Sequence, residues 1–343
     1  MTAGGREATA APAARWEGRD VSLEEVVRRL GELRDHATHG AARGRTAVLN
    51  LVVWAPSGGP PAEAPEMLGR LVGPSRVVIV AQDGGGAGID ARVEVFTRPG
   101  PVPDSVVCEE LVSLTLGGEV AAHAASAVTP LVHSDLPTVL WWPCAPEPER
   151  PAYRELAGAA DRVVLEAAAS VPGPRAVALL AGEVAERAAV VTDLAWAALT
   201  PWRQLVAQIV GPELALTLRA GPSSLRVVHG GPEPTLQALL LAGWLRDVLG
   251  EALSVRLEAA AGEAEVGGVE LVGPHGRLLR VDCVPGSPSC SVAVGTEGEV
   301  ARRRRLPLPS PGRADLVAGE LEVTARDRSF EAAVAAAARL IAA

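Results

Sequence analysis

At 343 residues the chain exceeds one ordinary hydrophobic core, and with 48% hydrophobic residues it can bury two. Its 32 basic residues, every one an arginine, stand against 41 acidic ones for a net charge of -9, which argues against a general nucleic-acid binder. Four cysteines, Cys108, Cys144, Cys283 and Cys290, have neither CxxC nor metal-finger spacing, so reduced thiols and no metal site are expected.

No apolar run reaches the roughly 18 residues of a membrane span, and the N-terminus lacks an apolar signal core. A cytoplasmic protein without membrane contact is the expectation. Residues 1–20, rich in Ala, Gly, Thr and Arg without periodicity, are expected as a disordered tail. Ser22 and Glu25 then make a capping box, and Leu23, Val26, Val27, Leu30 and Leu33 share a face of a helix over 23–35. His36 and His39 follow as solvated loop residues, since no third ligand is placed to complete a site.

A strand over 46–55, a helix over 62–72 and a strand over 76–81 make a βαβ unit. The loop Asp83 to Asp90, DGGGAGID, invites a nucleotide-binding reading, but it opens onto a strand-like run at 92–97. Phosphate sites need a helix N-terminus there, so the loop is read as a connector. Residues 108–116 alternate as a strand and 119–128 fit a helix carrying His123. Residues 138–142 are a short strand bracketed by Pro137 and Pro143, which sends Trp141 and Trp142 to opposite faces. One of the pair is therefore expected to reach a groove or partner. A helix at 153–159 and a strand at 162–168 complete an α/β domain with a mostly parallel sheet over 21–172, with Val171-Pro172-Gly173-Pro174 as the linker.

Residues 173–343 read as an α+β domain with mainly antiparallel strands. In it, Asp193 can cap a turn carrying Trp196, and Thr200-Pro201 opens a helix on which Trp202, Leu205, Val206, Ile209 and Val210 share one face. Gly211-Pro212 stops that helix. Strands are expected at 214–219 and 224–228, a helix at 235–249, alternating strands over 253–294 and a closing helix at 329–342. Arg302 to Arg305 is a tetrad whose ordinary reading is a solvated face; an acidic partner surface or a phosphorylated ligand is the alternative.

The segment DLAWAALTPWRQL, with Asp193, Trp196, Thr200, Trp202 and Arg203, resembles the signature of the glucose-6-phosphate dehydrogenase assembly protein family, OpcA. Residues 118–143, GEVAAHAASAVTPLVHSDLPTVLWWP, are similar to a second motif of that family, 241–245, LAGWL, to a third, and ELEVTARDRSFEAAV from Glu320 to its closing segment. The resemblance implies a non-catalytic factor without cofactor that binds glucose-6-phosphate dehydrogenase and promotes its assembly or active state in the oxidative pentose phosphate pathway. Among these residues Trp141, Trp142, Trp202 and Arg203 are the candidates for partner contact, since aromatic and arginine side chains dominate interface hot spots. Arg203→Ala is expected to weaken binding without destabilising the fold. The alternative is an α/β enzyme or sensor that holds a nucleotide or sugar phosphate at its strand ends. It lacks its glycine fingerprint here, and His123, Ser134 and Asp135 follow no triad order.

Overall fold

A computed structural model describes residues 11–38, 42–43, 49–55, 74–83, 86–99, 105–219, 223–262, 264–283, 287–296, 299–323 and 325–342. The chain divides into two compact units, one of residues 1–143 and 147–164, the other of 144–146 and 165–343.

The first unit is built on one mixed sheet. Its strands are β1 (Ala14–Gly18), β2 (Ala42–Arg43), β3 (Leu49–Ala55), β4 (Pro74–Asp83), β5 (Ile89–Pro99), β6 (Ser105–Gly117), β7 (Thr138–Trp142) and β8 (Arg162–Leu165). The spatial order is β1-β5-β6-β4-β3-β7-β8, with β2 beside β6. The pairings β2 with β6, β6 with β4, β4 with β3 and β3 with β7 are parallel, whereas β1 with β5 and β5 with β6 are antiparallel. Strand β3 is buried at all seven positions, the pattern of a central parallel strand covered on both faces. The parallel β3–β4 pair agrees with the βαβ reading; the helix expected at 62–72 lies outside the described residues.

Helix α1 (Leu23–Thr38) begins as its capping box requires, with the Glu25 N–H donating to Ser22 Oγ at 3.2 Å. Val26 and Leu30 are its buried apolar contacts. Two expectations are corrected here. Residues 14–18 are not tail but strand, because Ala14 to Gly18 pair with Val95 to Ala91 of β5. The helix expected over 119–128 is two short ones, α2 (Gly118–Ala122) and α3 (Ala124–Val128). His123 between them has φ −114° and ψ 43°, outside the helical region. The element after β4 is the strand β5; residues 84–85 of the 83–90 loop lie outside the described residues.

Helix α4 (Pro151–Ala159) closes the first unit's helical set. In the second unit come α5 (Gly173–Glu186), β9 (Val190–Asp193), α6 (Leu194–Ala198), α7 (Thr200–Arg219), β10 (Ser223–Gly230), α8 (Leu236–Leu249) and β11 (Leu253–Ala260). Then follow β12 (Gly268–Val272), β13 (Arg277–Cys283), β14 (Ser289–Thr296), β15 (Glu299–Pro307), α9 (Arg313–Glu322) and α10 (Arg328–Ala342). A six-stranded sheet runs β11-β10-β12-β13-β14-β15 and is antiparallel except for β10 with β11. The Val171–Pro174 stretch expected as a linker leads directly into α5, with Pro172 as its N-cap and a proline in its first turn.

The strand expected at 214–219 is helix. Gly211, at φ 56° and ψ 173°, does interrupt α7 as a stop should, but the chain then resumes helical geometry to Arg219. Of the apolar face expected for the first segment, Trp202, Leu205, Val206 and Val210 are buried and Ile209 is half-buried.

Three helices, α5, α8 and α10, pack together over the second unit's core. Gly243 makes the α8–α10 approach possible. A Cβ there would run into the Ala333 carbonyl oxygen and lie 2.8 Å from the Ala337 nitrogen. The LAGWL and closing motifs thus meet backbone to backbone at this glycine.

Candidate functional site

The signature residues Asp193, Trp196, Thr200 and Arg203 converge on one corner of the second unit. Asp193 is fully buried at the end of β9 and is the N-cap of α6. Its Oδ1 accepts the Ala195 N–H and its Oδ2 the Ala167 N–H, both at 2.8 Å. One carboxylate therefore closes a helix start and pins the turn at Ala167–Ala169. Burial pushes the Asp193 carboxyl up to about 7, against the pull of those two N–H groups and with a further push from the Glu166 and Glu320 carboxylates.

Trp196, 2% exposed, is the centre of the corner. Its Nε1–H donates to Asp327 Oδ2 at 2.7 Å, and its ring lies 5.8 Å from the Phe330 ring, centroid to centroid. On the ring sits the Arg203 guanidinium, 3.8 Å from the centroid. A charge this close to an indole face is held by the ring quadrupole. Arg203 Nη2 also donates to Thr200 Oγ1 at 2.9 Å, so the hydroxyl expected to cap a helix instead orients the arginine. Burial holds the Arg203 guanidinium below its usual value, with Asp327 and Glu320 opposing that shift.

Asp327 does for α10 what Asp193 does for α6. Its Oδ1 accepts the N–H groups of Ser329 and Phe330, at 2.9 and 3.1 Å, while Oδ2 takes the indole. Behind the corner, Arg313 grips Glu166 with a fork: Nε reaches the two carboxylate oxygens at 3.1 and 3.0 Å, and Nη2 reaches Oε1 at 2.9 Å. Asp327, Phe330, Glu166 and Arg313 were not singled out from the sequence. Only the Asp327-x-Ser329 spacing ahead of an apolar helix carried a local signal, that of an N-cap.

Trp202 is buried at 6% exposure, a core residue of α7. Trp141 and Trp142 are both 0% exposed, which corrects the expectation that one of them reaches the surface. They do point to opposite faces of β7, but this strand lies inside a sheet covered on both sides. Trp142 stacks on Trp54 of β3 with centroids 4.7 Å apart and planes 14° apart, and meets Tyr153 of α4 edge-on at 4.9 Å. Arg150 lies 5.5 Å from the Trp54 ring centre.

The second motif is held by a residue outside it. Buried Asn50 donates from Nδ2 to the carbonyls of His133 and Leu136, at 2.9 and 3.2 Å, and to Thr138 Oγ1 at 3.2 Å, while its Oδ1 accepts the His133 N–H at 2.9 Å. His123 of the same motif is exposed and pairs with Glu155 at 3.1 Å. Among the described residues no group of three or more His, Cys, Asp or Glu is arranged to hold a metal. No helix among them is long and apolar enough to cross a membrane.

Fold and corner together define a two-unit α/β protein whose distinctive residues lock helices to one another. Two family models match it: a glucose-6-phosphate dehydrogenase subunit N-terminal domain over residues 72–181, and the C-terminal domain of the same subunit over 189–334. The chain belongs to this family, OpcA. It is 23% identical over 265 residues to an OxPP cycle protein OpcA of Nostoc punctiforme, covering 76% of this chain and 54% of that protein. With the Synechocystis protein of that name it shares 21% identity over 179 residues, 52% of this chain and 37% of the other. The chain thus spans about half the length, or less, of these curated relatives. Among solved structures it is similar to the transcriptional regulator Gal80p of Kluyveromyces lactis, with TM-score 0.47, 10% identity and coverage of 90% and 94% of the two chains. An NAD binding oxidoreductase from Klebsiella pneumoniae gives TM-score 0.46, 12% identity and coverage of 86% and 95%. Likeness at this level carries no argument about activity.

Proposed function

We propose that this chain is a non-catalytic factor that binds glucose-6-phosphate dehydrogenase and promotes its assembly or its active state in the oxidative pentose phosphate pathway. The observation that carries the reading is family membership reaching both units, with the signature residues Asp193, Trp196, Thr200 and Arg203 joined in one corner. Trp141 and Trp142 in the first unit, and Trp202 in the second, are buried, so each would act on a partner only by shaping the surface of its own unit, and Arg203, half-buried in the corner, is the candidate that a partner can reach. Activation of this kind requires tighter binding to the active form of the dehydrogenase than to the inactive one.

The test is to add the purified chain to the cognate dehydrogenase across enzyme and substrate concentrations and to follow NADPH formation, with size exclusion of the mixture alongside. A higher rate and a shared elution peak are expected, and the chain alone is expected to form no NADPH. An unchanged rate with separate elution would sink the reading. Titration with NADP and with glucose 6-phosphate separately addresses the sensor alternative, which would show saturable binding of either ligand by the chain alone.

A further inference from the structure

Among the described residues strand β15 is an edge of the second unit's sheet, and it carries the arginine tetrad. Of its nine residues all but Leu306 are exposed. Alternation along the strand places Arg302 and Arg304 on one face and Arg303 and Arg305 on the other. The Leu308 N–H bonds the Pro288 carbonyl at 2.7 Å, next to the Ser289–Pro307 pair, so in an antiparallel ladder Arg302, Arg304 and Leu306 turn their backbone groups to β14. Arg303 and Arg305 therefore turn theirs outward, to the unpaired edge.

The sheet's own outer face shows what these arginines lack. Across neighbouring strands Arg226 meets Glu258 at 3.1 Å and Glu270 at 3.3 Å, and Arg280 meets Glu270 at 3.6 Å; along its own strand Arg280 also meets Asp282 at 2.8 Å. Register continues this charged row outward: Glu270 is opposite Arg280, Arg280 opposite Ala293, and Ala293 opposite Arg303. Among the described residues no strand lies beyond Arg303. None of Arg302, Arg303, Arg304 and Arg305 has a carboxylate partner among the described residues, in a chain whose net charge is -9.

We propose that the β15 edge docks an extended acidic segment of a protein partner, which adds as a further strand and sets carboxylates against the arginines on both faces. Strand addition uses the outward N–H and C=O groups of Arg303 and Arg305 for affinity, and the paired charges for choice of partner. The fitting segment carries a run of about four consecutive Asp or Glu residues, because arginines stand on both faces of the edge. A nucleic acid fits less well: a duplex or strand spreading over the face would bring its phosphates toward Asp282 of β13 and Glu270 of β12, whereas a single acidic strand stays at the edge. The proposal does not depend on the dehydrogenase reading.

The full chain is titrated by fluorescence anisotropy against a labelled ten-residue peptide carrying four consecutive glutamates between Thr and Val residues. A glutamine version of the peptide and a ten-nucleotide single-stranded DNA are titrated in parallel. Saturable binding of the glutamate peptide alone is expected. Binding should fall roughly tenfold or more in the double variant Arg303→Glu, Arg305→Glu. Arg303→Pro and Arg303→Ala both lose the charge, but only proline also removes the outward N–H, so Arg303→Pro should bind several-fold more weakly than Arg303→Ala. The pair Arg305→Pro and Arg305→Ala repeats that comparison, and a melting curve matching the parent chain's shows that each variant is folded. Equal binding by folded proline and alanine variants overturns strand addition. No binding of the glutamate peptide, or tighter binding of the DNA, overturns the acidic partner.

Discussion

Asp193 is where one side chain ties pH to the fold. Its carboxyl is raised from an ordinary 3.8 to about 7, so between those values the folded chain holds a proton that the unfolded chain has released. The stability linked to this group is therefore fully present below about pH 4 and is lost as pH rises through about 7. At about 1.4 kcal/mol per unit, the window is worth on the order of 4 kcal/mol. Chemical denaturation of the parent chain and Asp193→Asn between pH 4 and 8 checks this: the parent's advantage over the variant should shrink as pH rises, and a flat difference would remove Asp193 as its source. Arg203 carries a second prediction at this scale. Because its guanidinium stacks on a buried indole and bonds Thr200, Arg203→Ala should cost about 2 kcal/mol of stability as well as any loss of dehydrogenase binding. From the sequence alone the expectation is weakened binding with stability unchanged, and the stacked geometry adds a stability cost to it. Urea unfolding decides it, with Arg203→Lys recovering only part of the loss, since an ammonium keeps the charge and gives up the flat stack.

At the scale of elements, the legible parts of the chain were those that local chemistry determines. The Ser22–Glu25 cap, the Asp193 cap, the bounds of β7 and the buried face of α7 are all readable from spacing and from Pro, Ser and Asp at their ends. What escaped was decided at a distance. Strand β1 has no apolar run of its own and exists because β5 offers it an edge. Trp141 and Trp142 alternate as any strand does, yet the second face of β7 is covered by other parts of the sheet's surroundings, which alternation alone does not reveal. Cys283 and Cys290, unremarkable in sequence, stand opposite each other across β13 and β14, where burial pushes the Cys283 thiol up to about 12. Asn50 gave no signal, since its four hydrogen bonds go to residues 133–138. The α8–α10 contact yields a prediction. Gly243→Ala would press a methyl into the Ala333 and Ala337 backbone, and should cost about 1–3 kcal/mol by overpacking despite alanine's better helix propensity. Thermal unfolding of that variant checks it; an unchanged or raised melting temperature would show that the helices separate freely.

For the molecule as a whole, the two family models fall on the two halves of a chain that also divides into two units, so the family's pattern is carried by both. Of the four residues expected to touch a partner, three are interior, and the sequence could not separate a tryptophan that anchors a fold from one that anchors a complex. Both uses demand the same large, stiff side chain, and only its exposure tells them apart. The Trp54–Trp142 pair has a further use that follows from its geometry. Two indoles with centres 4.7 Å apart and nearly parallel planes couple their electronic transitions, so absorbed light is shared between the rings. The pair should therefore imprint a two-signed band on the circular dichroism spectrum that vanishes in Trp142→Phe and survives in Trp202→Phe. Such a band would report the packing of β3 against β7 optically, without any label, while a dehydrogenase or an acidic peptide is titrated in.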